Sequence, residues 1–162
     1  MKTCLRATGA HLRCAMVLVS LIALPAVAFA DEKASCDFLE ISASTTKEGG
    51  AAPELRALEK KLKKPPFSSW NTFRLLGRQD KVLVQQRAET LKLQLGQAQM
   101  ILRDVDRKAG RKGRVGLGAS MDDQSGRRVL DTKVSVDAGD FLVIGRSLPN
   151  NEGHLLAFTC SL

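Results

Sequence analysis

Histidine occurs twice in the chain, at His11 and His154, and tyrosine not at all. A serine, histidine and carboxylate triad in the body of the protein would have to run through His154, yet no Gly-x-Ser-x-Gly elbow is present to supply a nucleophile. His154 follows Gly153 in a turn-like stretch before the last apolar run, and it reads as an exposed loop histidine. One histidine also rules out a histidine-rich zinc site. Seventeen acids leave glycoside hydrolysis open by inventory, but sugar clefts stack their substrates on aromatic rings, and after residue 30 only Trp70 and five phenylalanines remain. Asp122, Asp123 and Gln124 share only acidity and a nearby glycine with a calcium loop, and they read as a solvated turn. Gly113 to Gly118 lacks the Lys-Ser/Thr ending of a phosphate-cradling loop. No catalytic residue, metal ligand or cofactor site is assigned.

Two features remain. Arg107-Lys-Ala-Gly-Arg-Lys-Gly-Arg114 places Arg107, Lys108, Arg111, Lys112 and Arg114 in one glycine-containing loop, suited to phosphates or acidic glycans. No aromatic is interleaved with these charges, which disfavours sequence-specific reading of nucleic acid. Cysteine occurs at 4, 14, 36 and 160. The first two fall in the export segment described next, so Cys36 and Cys160 are left with one possible pairing. That bond would close a loop of 124 residues. The chain-entropy model values such a closure at roughly 4–5 kcal/mol, less native-state strain. A redox pair would need closer spacing, so the bond reads as a staple.

The N-terminus carries Lys2, Arg6 and Arg13 and no acid, followed by an apolar run from Ala15 to Ala28 that is too short to span a bilayer. Pro25 precedes the small-residue site Ala28-Phe29-Ala30, and Asp31-Glu32-Lys33 begins a charged chain. This is the pattern of a signal peptide cleaved near Ala30, so the expected location is periplasmic or extracellular. Cys36 stands too far from the apolar run to be a lipoprotein cysteine. Removing thirty of 162 residues leaves 132, in which 22 Lys and Arg face 17 acids, a net charge of +5. That length suits one domain, residues 31–162, with no transmembrane span.

The elements that must position these residues are mostly strands. Cys36 to Ser44 reads as the first, and Gly49-Gly50 punctuates the chain before its one helix, about 53–63. There Pro53 suits the first turn, and Leu55, Leu58 and Leu62 fall on one face. Lys60, Lys61, Lys63 and Lys64 sit at its C-terminal end, where the helix dipole favours them. Period-two patterns follow at Asn71 to Leu76, Val82 to Val84, Leu91 to Leu95, Ala98 to Asp104, Val115 to Met121, Leu130 to Val136, Phe141 to Gly145 and Leu155 to Cys160. The expected fold is mainly β: an antiparallel sandwich or partly open barrel of seven or eight strands, with one helix packed on it. A staple between the first and last strands fits their being antiparallel neighbours.

Pro53-Glu-Leu-Arg-Ala-Leu-Glu-Lys-Lys-Leu, Pro66-Phe-Ser-Ser-Trp-Asn-Thr-Phe-Arg-Leu-Leu and Gly153-His-Leu-Leu-Ala-Phe-Thr together span most of the body of the chain. This arrangement resembles small uncharacterised exported proteins of myxobacteria and related groups. The resemblance implies export and a β domain and transfers no functional residue. The expected function is a non-enzymatic binding or scaffolding module whose basic loop meets an envelope protein or an anionic envelope component. A small secreted hydrolase and a secreted inhibitor-like protein are the alternatives. A hydrolase requires a concave pocket where carboxylates or His154 converge.

Overall fold

A computed structural model describes residues 31–107 and 110–162. Residues 1–30, expected to be an export segment, and Lys108 of the basic loop lie outside the described residues. The strands are β1 (Lys33–Ser44), β2 (Gly50–Ala51), β3 (Thr72–Val84), β4 (Ala88–Leu93), β5 (Gly96–Asp106), β6 (Arg114–Asp122), β7 (Arg128–Asp137), β8 (Phe141–Leu148) and β9 (Glu152–Ser161). They form a five-stranded sheet in the order β2-β3-β1-β9-β8 and a four-stranded sheet in the order β4-β5-β6-β7. All pairings are antiparallel except the short β2–β3 contact. The result is the expected β-sandwich, with nine strands among the described residues. A lone parallel bridge between Gln85 and Leu102 ties the end of β3 to the other sheet.

The alternation of β1 explains the layering. Ala34, Cys36 and Phe38 face inward with Leu156, Phe158 and Cys160 of β9, and they meet Met100, Leu102, Leu117 and Met121 from the other sheet in one core. Leu39, Ile41 and Ala43 face outward with Leu155 and Ala157 and are covered by Leu55, Leu58, Leu62, Trp70 and Phe73. A central sheet buried on both faces needs apolar residues at successive positions, and both β1 and β9 supply them. Each fully buried leucine in these layers contributes about 1.5–3 kcal/mol of transfer free energy.

The covering segment departs from a single helix. Pro53–Leu58 forms a 3-10 turn, and α1 (Glu59–Leu62) continues it for four residues. The leucine spacing accounts for the change: Leu55 and Leu58 lie three apart, matching a 3-10 turn, whereas Leu58 and Leu62 lie four apart, matching an α-helix. All three are fully buried. The lysine run behind them is partly used within the fold, since Lys63 pairs with Glu59 at 2.6 Å and the Lys61 ammonium donates to the Phe141 carbonyl.

The two strands expected at Asn71 to Leu76 and Val82 to Val84 are one strand, β3. Its polar middle, Arg78 to Lys81, hides the continuity in sequence but pairs with β1 without a break. The small face of β6 is covered by neighbouring side chains. A Cβ on Gly116 would lie 2.3 Å from Asp104 Oδ1, and one on Gly118 would lie 3.0 Å from Arg103 Nε. Cys36 and Cys160 face each other across β1 and β9 and form the expected disulfide.

Candidate functional site

The expected exposed loop histidine is wrong. His154 belongs to β9 and is fully buried, because the strand begins at Glu152 and its period points His154 inward with Leu156 and Phe158. Its neighbours across the sheet are Ser42 of β1 and Arg146 of β8. The His154 Nε2 lies 2.9 Å from Oε1 of Glu40, itself only 3% exposed. A carboxylate can only accept, so with Glu40 ionised this nitrogen carries the proton.

Glu40 is answered on both oxygens. Oε1 also accepts from the Leu95 backbone N–H at 3.1 Å, and Oε2 accepts from that of Gln94 at 2.8 Å. Burial pushes the Glu40 carboxyl up, but the hydrogen bond from His154 and those from Gln94 and Leu95 outweigh it, so it lies below the usual glutamate range. Gln94 and Leu95 form the two-residue turn between β4 and β5. Gly96 closes that turn at φ +139°, where a Cβ would come within 2.0 Å of the Asp122 carbonyl. The pair therefore clamps a turn of one sheet to the inner face of the other. The Nδ1 of His154 and the Nε of Arg146 are buried nearby without a hydrogen-bond partner.

The basic loop sits at the opposite end of the central sheet and divides into two parts. Lys112 pairs with Asp140 at 3.1 Å and Arg114 with Asp137 at 2.8 Å, both acids flanking the turn between β7 and β8. The hydrogen bond from Arg114 holds the Asp137 carboxyl below its usual range. Arg107 and Arg111 are exposed and, among the described residues, have no ion-pair partner. They line a shallow depression with Gly113, Ala138, Gly139 and Leu162.

The acidic turn at Asp122 and Asp123 is committed internally. Asp122 binds Arg128, and Oδ1 of Asp123 accepts from the backbone of Ser125 at 2.9 Å and of Arg127 at 3.0 Å. No group of three or more His, Cys, Asp or Glu among the described residues is arranged to hold a metal ion. No helix among them is long and apolar enough to cross a membrane.

A crevice that sequence reasoning missed lies between the helical cap and the β2 corner, with a volume of about 460 Å³. Leu62, Trp70 and Phe73 provide its apolar lining, and Glu48 and Glu59 both reach it. Glu59 is bound to Lys63, whose hydrogen bond lowers its carboxyl below the usual value. A glycosidase general acid needs the opposite shift, so Glu59 does not have the character of one. His154 is not among the crevice residues. Compared with known proteins, the chain matches no family model, no curated protein and no solved structure.

Proposed function

We propose that the chain is a non-enzymatic binding module of the cell envelope, exported by cleavage near Ala30, that holds an anionic envelope component at the basic end of its sandwich. The observation that carries this reading is that Arg107 and Arg111 both line one shallow depression, without an ion pair among the described residues, while Lys112 and Arg114 are tied to acids. Guanidinium groups are suited to such a role because their planar donors match phosphate and carboxylate geometry. The two tied cations are held against the turn between β7 and β8. The two untied ones are left to meet the ligand.

Co-sedimentation with vesicles tests the reading. The protein is expected to bind vesicles containing phosphatidylglycerol, to ignore vesicles of phosphatidylcholine alone, and to be released by salt. Substituting R107Q and R111Q together should weaken binding about tenfold or more, given roughly 1 kcal/mol per basic residue near an anionic surface. K112Q should change it less. Binding that is equal for all variants, or equal on neutral vesicles, would sink the proposal. The intact mass of protein recovered from the periplasm tests export independently, and it should correspond to a chain beginning at Asp31.

A further inference from the structure

Beside the basic depression, charge meets exposed apolar surface. Ala34, Cys36 and Cys160 face the core, so Ser35 and Ser161 face out, and Val82 of β3 lies opposite Ser35. Val82, Ser35 and Ser161 therefore form one row across three strands, spanning roughly 10 Å at about 4.8 Å per strand. Leu162 continues from that row onto the depression, where a Cβ on Gly113 would lie 2.4 Å from its Cδ1. Val82 is 57% exposed and Leu162 43%, and these are the two large hydrophobics that the described residues leave exposed. The helical cap covers the opposite end of this face, over Leu39, Ile41 and Ala43.

A single exposed hydrophobic needs no explanation, but these two flank the untied cations. Arg107 and Arg111 line the depression with Leu162. Lys33, two residues before Ser35 and on the same outward face, is exposed without an ion-pair partner among the described residues. Asp80, exposed two residues before Val82, is outnumbered by these three, and Asp37 beside it is held by Arg78 at 2.7 and 3.0 Å. A soluble anion would engage the guanidinium groups and leave Val82 and Leu162 in water. A bilayer engages both, because its headgroups take the cations while the acyl boundary takes the apolar side chains. We propose that this end of the sandwich docks on an anionic lipid bilayer, with Leu162 and Val82 entering the headgroup boundary and Arg107, Arg111 and Lys33 meeting the headgroups. The inference rests on the basic-end reading and commits it to a lipid surface.

Two probes separate a lipid surface from a soluble anion: vesicles containing phosphatidylglycerol, and inorganic polyphosphate. Val82→Ser combined with Leu162→Ser should weaken vesicle binding about tenfold or more, through the apolar area withdrawn from the boundary. Both side chains are exposed, so the pair should leave polyphosphate binding and the melting temperature unchanged. Depth is read independently with Leu162→Trp. Brominated phospholipid in the vesicles should quench its emission, whereas the parent, whose only tryptophan is Trp70 under the helical cap, should not be quenched. Lipid docking is overturned, and the basic-end reading left standing, if the serine pair binds vesicles as the parent does, if it loses polyphosphate to the same extent, or if Leu162→Trp is not quenched. R107Q with R111Q binding both probes as the parent does would remove the basic-end reading and the docking built on it.

Discussion

A carboxylate taken out of water costs several kcal/mol unless its lone pairs are answered. Glu40 meets that condition with three donors, two of them backbone N–H groups of a turn in the other sheet. Its ionised form is favoured by the fold, so its contribution to stability is complete above the ordinary glutamate value, about 4.3. It is lost as pH falls through the lower value it has in the folded protein. Urea denaturation followed from pH 7 to pH 3 should therefore show an acid-side loss of stability that Glu40→Gln reduces. At pH 7 the same substitution should cost roughly 1.5–3 kcal/mol, the range for a hydrogen bond to a charged group. A variant as stable as the parent at pH 7 would show that the clamp is dispensable.

The strands were legible where large apolar residues alternate with small or polar ones. Val115, Leu117, Ala119 and Met121 alternate as a core-facing row and all are buried. Residues 78 to 81 were not legible as strand because neither face there is fully buried, so their polarity follows solvent and not pairing. His154 was misread because asparagine and glycine just before it signal a turn, although the period it shares with Leu156 and Phe158 already placed it on the inner row. The crevice could not be seen in the sequence at all. It is assembled from the loop before β2, the helical cap and the start of β3, and Glu48 has no local signature. The cap itself is testable as an element. Leu62→Ala, at a fully buried position, should destabilise by about 2–5 kcal/mol in urea. Because Leu62 and Trp70 share one cluster, the folded-state emission of Trp70 should also shift to the red.

Across the whole molecule the crevice and the basic depression lie at opposite ends of the central sheet. The crevice adjoins Ser44 and Thr72, paired at one end of β1 and β3, and the basic depression adjoins Ser161, opposite Ser35 near the other. With a rise of about 3.4 Å per residue, the stretch of β1 from Ser35 to Ser44 separates them by roughly 30 Å. Replacing both Cys36 and Cys160 by alanine should lower stability by roughly 4–5 kcal/mol at most, the chain-entropy value for so long a loop.

The same bond sets how the molecule would carry load. Cys36 and Cys160 lie at the outer ends of β1 and β9, so tension applied through those two ends crosses a single covalent link and leaves the intervening chain slack. Oxidised, the protein acts as an inextensible coupling whose sheets need bear no force. Reduced, the tether can extend over the 124 residue steps that separate the cysteines, a fully extended length on the order of 400 Å.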